Sequence, residues 1–131
     1  MIYDLHCHSS NSDGLFSASE LVLRANSRGV DFLALTDHDS VKGIDEASTT
    51  AKELNVSIIP GVEISARWRD YEVHIVGLNI DPKNPILTKG LEKQQLARQS
   101  RFADMVAKLA DAGIEGTEEI VSSYANGEHV G

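Results

Sequence analysis

The sequence has 131 residues, 41% of them hydrophobic and 24% charged, which predicts one folded domain and excludes an intrinsically disordered chain. Its formal net charge of −8 argues against a broad basic surface for nucleic acids, although bound divalent cations would let a carboxylate-rich pocket hold a phosphate. A single cysteine, the lack of a membrane-spanning apolar stretch and an N-terminus unlike a signal peptide predict a cytoplasmic location without membrane association.

In the first half of the sequence, predicted strands and helices alternate. They are, in chain order, a strand at 1–6, a helix ending at Gly29, a strand at 31–36, a helix at about 41–54 and a strand at 56–65. Ser17 and Glu20 form a capping-box pattern at the start of the first helix, and Pro60-Gly61 bends or interrupts the third strand. Because helical crossovers join parallel neighbours, this order predicts an α/β fold with a parallel sheet and helices outside it.

The pattern changes where a loop at 66–70 leads into a strand at 71–78. The link is too short for a helical crossover, so the strands on either side of it are predicted to form an antiparallel hairpin. If residues 67–70 form a four-residue loop, Glu63 lies directly opposite His74, with Cβ atoms about 5 Å apart. A slip of one residue would put the two side chains on opposite faces.

The rest of the sequence is predicted to be helical. A long helix runs from about Ile86 to Ala112 and ends at Gly113, and Thr117 caps a short helix that reaches about Tyr124. No internal repeat or low-complexity tract accompanies these elements.

The first residues suited to metal binding lie in LHCHSSNSDG, residues 5–14. Side chains alternate between the faces of a strand, so His6 and His8 project to one side and Cys7 to the other, where it packs as a small core residue. Asp13 follows in the next turn with a carboxylate, and nitrogen plus carboxylate ligands suit Mn, Fe or Zn ions. The alternative is a chance His-x-His pair at a polar strand end.

A second polar cluster, LTDHDS at residues 35–40, follows the buried strand and contains His38 between Asp37 and Asp39. Loops after the carboxyl ends of parallel strands hold the active sites of such sheets, which favours a functional role beside the first cluster. The alternative is an N-cap cluster in which Asp39 or Ser40 starts the next helix and His38 is solvated. One of the two aspartates is expected to have only that capping role.

Glu63 and His74 each interrupt an apolar strand, at PGVEIS and EVHIVG. A buried carboxylate needs a partner or a metal, and the alternative partner for Glu63 is Arg67 or Arg69. A lone histidine in a strand is often a hydrogen-bonded core residue, but the hairpin would bring His74 and Glu63 to one face of the sheet. Trp68 in the hairpin loop can stack on a base or pack partly against the sheet.

Taken in order, LHCHSSNSDG, LTDHDS, PGVEIS and EVHIVG resemble the opening motifs of the polymerase and histidinol phosphatase (PHP) superfamily. The stretch ARWRDYEVHIVGLNID is similar to one bacterial branch, the ribonuclease AM or 3′,5′-nucleoside bisphosphate phosphatase type. The resemblance extends from Ile2 to about Tyr124 and implies part of a distorted seven-stranded (β/α) barrel. Residues 1–80 would belong to the barrel, and residues 81–131 to a helical insert at the C-terminal end.

The resemblance further implies a cluster of up to three divalent metals at the C-terminal strand ends, usually manganese, with iron, magnesium or zinc as alternatives. The ligands carried over motif by motif are His6 and His8 for one ion, Glu63 as the bridge to a second, His74 for the second, and Asp13 and His38 for the third. Apart from these metal ligands, the catalytic residues are unassigned.

The function implied by the resemblance is that of a metal-dependent phosphoesterase, in which the ions activate a water and neutralise a phosphate. The implied partners are nucleoside bisphosphates and the 5′ ends of short RNAs, with no membrane and no evident stable protein partner. Two alternatives stay open: a non-catalytic metal-binding or structural PHP module, and a metal hydrolase that cleaves another bond, such as an amide.

The sequence departs from the family pattern in its length. The family's later motifs, an Arg-x-His, a downstream histidine and a terminal Asp-x-His, do not occur, and no Arg-x-His surrounds His129, to which we assign no role. We therefore expect the sequence to be the N-terminal half of a longer protein. By itself it is expected to bind metal weakly, to be inactive and to expose an open strand edge.

Overall fold

The computed structural model describes residues 1–125, and their elements follow the predicted order. They are β1 (Tyr3–Cys7), α1 (Ala18–Ser27), β2 (Phe32–Leu35), α2 (Ile44–Ala51), β3 (Ser57–Trp68), β4 (Tyr71–Leu78), α3 (Pro85–Asp111) and α4 (Thr117–Tyr124). The predicted α/β class is confirmed. The chain forms two compact units, Met1–Leu91 and a second that begins at Glu92. A separate helical insert that begins at residue 81 stays a prediction.

One four-stranded sheet organises the first unit, with the strands in the order β1-β2-β3-β4. The first two pairs are parallel, as the helical crossovers predicted, and the β3–β4 pair is antiparallel. β3 is continuous, and it changes partner rather than stopping: Pro60 is its last residue paired with β2, and Gly61 is its first paired with β4. Because β3 continues past the end of β2, its second half lies beyond the carboxyl end of the parallel sheet.

The core forms where α1 and α2 pack against the parallel strands. The buried apolar residues of this cluster are Ala18, Val22, Ala25, Leu33, Leu35, Ile44, Ala47, Ala51 and Val56. The predicted capping box at the start of α1 is confirmed, with Ser17 Oγ accepting from the Glu20 amide at 3.2 Å and Glu20 Oε2 accepting from the Ser17 amide at 2.8 Å. Gly29, with φ of +72°, follows the end of the helix as predicted. Within residues 1–125, no helix has the length and apolar character needed to cross a membrane.

The predicted hairpin register is wrong by two residues. The strands pair out to Trp68 and Tyr71, so Glu63 lies opposite Val76, and His74 lies opposite Ser65. The link is therefore a two-residue turn instead of a four-residue loop, because Arg69 adopts a left-handed conformation with φ of 55°. An even shift preserves the face of every side chain, and so Glu63 and His74 still share one face of the hairpin.

Two predicted helix starts are also wrong. α2 begins at Ile44 instead of residue 41, with Gly43 at the N-cap position and no side-chain cap. In α4 the N-cap residue is Gly116, with φ of 73°, and Thr117 is the first helical residue. The positive φ at the α4 boundary favours glycine, whereas the boundary of α2 has an ordinary helical backbone, and patterns of capping side chains reveal neither start.

The change of partner at Gly61 leaves no room for a side chain. An added Cβ would lie 2.7 Å from Thr36 Cγ2, 2.9 Å from the Leu35 carbonyl oxygen and 3.1 Å from the Gly77 carbonyl oxygen. Gly61→Ala should therefore lower the free energy of unfolding by about 1–3 kcal/mol through overpacking, measured by urea denaturation.

The matched control is Gly90→Ala in α3, where a Cβ meets nothing within 4 Å. This substitution should leave the free energy of unfolding unchanged or raise it by up to about 1 kcal/mol, because alanine stabilises a helix more than glycine does. Equal effects of the two substitutions would contradict the close approach at Gly61.

Candidate metal centre

The structure brings together all the side chains that the sequence indicated as metal ligands. They are His6, His8, Asp13, His38, Glu63 and His74. His6 lies in β1, and His8 and Asp13 lie in the segment after β1. His38 lies in the segment after β2, Glu63 lies in β3 and His74 lies in β4. The carboxyl ends of parallel strands meet at one edge, and the hairpin adds its residues from beyond that edge.

The carboxylate of Glu63 lies at the centre of the cluster and is only 5% exposed as a residue. Its Oε2 is 2.8 Å from His6 Nε2 and 3.0 Å from His8 Nε2, while its Oε1 is 3.1 Å from His74 Nδ1. These imidazoles, and not Arg67 or Arg69, are its ion-pair partners. The two oxygens therefore face different histidines, which is the arrangement expected of a bridging carboxylate.

Three overlapping groups of side chains could each hold one metal ion, since their ligand atoms lie within 4.8 Å of one another. The groups are His6 with His8 and Glu63, His38 with Glu63 and His74, and His8 with Asp13 and His38. His8 and His38 each belong to two groups, which the sequence did not indicate. Asp13 joins the third group through Oδ1, 3.3 Å from His8 Nδ1, and Oδ2, 3.5 Å from His38 Nε2.

His38 and Glu63 lie side by side because their backbones form an isolated parallel bridge. The Asp39 amide donates to the Glu63 carbonyl at 2.9 Å, and the Glu63 amide donates to the Asp37 carbonyl at 3.1 Å. The predicted capping role for one of the aspartates is wrong, because α2 starts only after Gly43. Asp39, with φ of 47°, instead accepts the Ser65 amide at 2.9 Å through Oδ1.

The donor set fits a divalent transition metal. His38 Nδ1 is buried and has no hydrogen-bond partner within the described chain, although such an orphaned polar atom costs about 1–3 kcal/mol. His6 Nε2 and His8 Nε2 lie 3.1 Å apart, a distance at which two ring nitrogens need a proton or a cation between them. Ligand atoms about 2.1 Å from an octahedral ion lie about 3 Å from each other, close to the spacing of these nitrogens and Glu63 Oε2.

The local electrostatics favour the ligand form of the central groups. Burial lowers the pKa of His38, although Asp13 and Glu63 oppose this effect, and the ring therefore tends to be neutral. Burial raises the pKa of Glu63, but the hydrogen bond with His6 and the charges of the neighbouring histidines outweigh it, so the net pKa is lowered. A neutral imidazole and an ionised carboxylate are the states that bind metals.

Other predicted residues lie outside the cluster. Cys7 packs against the core, its Sγ is 3.2 Å from the Ala34 carbonyl oxygen, and burial raises its pKa to about 12, so it is an inert packing residue as predicted. Trp68 is 66% exposed near the hairpin turn, so most of its side chain does not pack against the sheet, and stacking on a base stays a prediction. The guanidinium of Arg69 lies 5.6 Å from its ring centroid. His129 falls outside the described residues.

Acidification should destabilise the metal-free chain through His38. Because the pKa of His38 is lowered on folding, the unfolded chain binds this proton more readily and is favoured as the pH falls below the ordinary value of 6.5. The thermal midpoint should decrease between about pH 7.5 and about pH 5.5, and the decrease should be smaller in His38→Gln. The lowered pKa of Glu63 acts only below 4.5, outside this window. A decrease in His38→Gln as large as that of the parent chain would contradict the prediction.

The family model for the PHP domain matches residues 4–111. A 5′-3′ exoribonuclease from Haemophilus influenzae is 48% identical over 96% of this chain and 46% of its own length. A 3′,5′-nucleoside bisphosphate phosphatase from Chromobacterium violaceum is 44% identical over 86% of this chain and 40% of its own length. A solved structure named as a metal-dependent phosphoesterase, from Bifidobacterium adolescentis, superposes with a TM-score of 0.78 at 30% identity, over 88% of this chain and 44% of its own.

The chain thus spans less than half the length of these relatives. The match nevertheless includes β1 except Tyr3, β2 to β4 and the whole of α3, and therefore all six side chains of the cluster. With the PHP model covering most of its residues, the chain belongs to the PHP domain family.

Proposed function

We propose that the protein is a metal-dependent phosphoesterase that hydrolyses phosphate esters of nucleotides, either 3′,5′-nucleoside bisphosphates or the 5′ ends of short RNAs. The observation that carries the proposal is the buried carboxylate of Glu63, shared between groups of imidazoles that could each hold an ion. The names of the exoribonuclease and the bisphosphate phosphatase support the substrate class.

Manganese is the ion we propose, with iron, magnesium and zinc as the alternatives, because mixed imidazole and carboxylate donors suit such ions. In this proposal His6 and His8 hold one ion with Glu63, which also faces a second ion held by His74 and His38. The third group adds Asp13. When bound, the ions would supply a water of lowered pKa and would neutralise the charge of a phosphate ester.

The residues of the chain itself contribute charge and position. Glu63 stays ionised because its neighbours lower its pKa, so its two oxygens are available to neighbouring cations at neutral pH. Desolvation lowers the pKa of His38 and favours the neutral ring, so a ring nitrogen can bind a cation without first losing a proton. A chain with a net charge of −8 repels nucleotides at long range, and a phosphate would be attracted only where bound cations reverse the local field.

Metal binding can be tested on the 131-residue chain itself. Glu63→Gln keeps the shape of the side chain and removes the charge, so it should weaken manganese binding at least about tenfold, measured by the loss of free Mn²⁺ signal in electron paramagnetic resonance titrations. Glu46→Gln in α2 is the matched control: Glu46 also accepts hydrogen bonds, from the Ser19 amide at 2.9 Å and the Ser19 hydroxyl at 2.7 Å, but lies outside the cluster. Equal affinities in the two variants would overturn the proposed role of Glu63.

The reaction is best tested in the protein expressed from the whole reading frame in which this sequence lies. With Mn²⁺ added, it should release phosphate from a 3′,5′-nucleoside bisphosphate or nucleotides from a 5′-phosphorylated RNA, and it should leave an activated anilide intact. Hydrolysis of the anilide alone would favour an amide hydrolase. Metal binding without hydrolysis of any substrate would favour a non-catalytic module. The 131-residue chain assayed in parallel is expected to be inactive, because it spans under half of the relatives.

A further inference from the structure

Asp37 is a buried charged residue beside the cluster, with 1% of its surface exposed. Its Oδ1 accepts from the Ser9 amide at 2.6 Å and the Ser12 hydroxyl at 2.7 Å, and its Oδ2 accepts from the Ser9 hydroxyl at 2.7 Å. Asn11 joins this network, since its amide and side-chain nitrogen both lie 3.1 Å from Ser9 Oγ. One carboxylate therefore fixes the backbone of the segment that follows β1.

The same residue contacts the other segments of the site through its backbone. Its carbonyl accepts the Glu63 amide at 3.1 Å, and it immediately precedes His38 in the chain. Ser9 follows His8, and Ser12 precedes Asp13. Asp37 thus forms hydrogen bonds with residues adjacent to His8 and Asp13. It also immediately precedes His38 and accepts the backbone amide of Glu63.

The hydrogen bonds of Asp37 leave it unsuited to be a ligand. Both carboxylate oxygens already accept short hydrogen bonds from the buried Ser9 and the buried Ser12, and Asp37 belongs to none of the groups that could hold an ion. The surrounding donors stabilise its charge without a cation. Its place between the ligand-bearing segments indicates a different role.

We propose that Asp37 is a positioning residue that sets the spacing of the metal ligands by tying the segment after β1 to the segment after β2 and to β3. This inference rests on the proposed metal site but concerns a residue that binds no ion. Groups that hold ligands in place influence metal affinity because they fix the arrangement before the ion arrives.

The test is Asp37→Asn, which keeps the volume of the side chain and replaces one acceptor oxygen by a donor. The new amide would have to face a donor, either the Ser9 amide or a serine hydroxyl, so at least one hydrogen bond to the segment after β1 is lost or rearranged. We expect Mn²⁺ affinity, measured by electron paramagnetic resonance, to fall about 10- to 100-fold. Apparent stoichiometry at saturating Mn²⁺ should be unchanged, because every proposed ligand is still present.

Asp31→Asn is the matched control. Asp31 also accepts a short hydrogen bond from the backbone across β1 and β2, from the Ile2 amide at 2.6 Å, but at the opposite end of the strands. Its substitution should change Mn²⁺ affinity by less than about twofold, even if it lowers the thermal midpoint as much as Asp37→Asn does, because its hydrogen bond to Ile2 involves no residue adjacent to a proposed ligand. A parallel loss of affinity in the two variants would reduce Asp37 to a general stability role and overturn the proposal.

Hydrogen exchange, measured without metal, tests the role of Asp37 independently of the proposed function. In the metal-free chain, Asp37→Asn should accelerate hydrogen exchange of the Ser9 and Glu63 amides, and Asp31→Asn should not. If the parent chain binds no Mn²⁺, the proposed metal site fails, and the exchange rates still decide whether Asp37 holds these segments. Unchanged exchange, or unchanged affinity in a folded Asp37→Asn, would overturn the inference.

If Asp37→Asn does not fold, Ser9→Ala takes its place, because it removes the hydroxyl donor to Asp37 Oδ2 and leaves the charge and the bonds from the Ser9 amide and the Ser12 hydroxyl intact. It should weaken Mn²⁺ binding severalfold, because it removes one of the three hydrogen bonds that the Asp37 carboxylate accepts. An affinity equal to that of the parent chain would contradict the positioning role.

Discussion

The buried charge of Glu63 is the constraint on which the rest of the site depends. Moving a carboxylate out of water costs on the order of several kcal/mol, and the fold offsets this cost only by surrounding the charge with imidazoles. Each neighbour has a separate structural origin: β1 brings His6, the backbone bridge brings His38, and β4 brings His74. A sheet that ended β3 at Pro60 would lose Glu63 from the cluster, because Glu63 lies in the part of β3 that pairs with β4.

The site also conflicts with the stability of its own surroundings. The Nδ1 of His38, which has no hydrogen-bond partner in the described chain, and the left-handed backbone of Asp39 are each unfavourable in a metal-free chain. A bound cation would relieve the first, so metal binding and folding should be coupled in this protein. The buried hydrogen bonds of Asp37 and the core under α1 and α2 supply stability that does not depend on metal.

The sequence predicted the order of the elements, the capping box at Ser17 and the convergence of the candidate ligands, because strand alternation and parallel connectivity are local rules with few exceptions. It failed on the hairpin turn, since Arg69 is not a residue that usually signals a left-handed backbone. It also failed on Asp37 and Asp39. A short polar residue before a helix predicts an N-cap, whether its side-chain oxygen accepts from the helix or from a distant segment. Only the assembled sheet shows that Ser9 donates to Asp37 and Ser65 donates to Asp39.

The exchange of partners by β3 divides that strand into stretches with different tolerance for changes in length. Extra residues at the turn of Arg69 and Asp70 would lengthen the end of the hairpin and leave Glu63 and His74 on their common face. A single residue inserted between Gly61 and Ser65 would invert the alternation and turn one of them away from the cluster. Among homologous chains, insertions and deletions should therefore accumulate at the exposed turn and be purged from the stretch that follows Gly61.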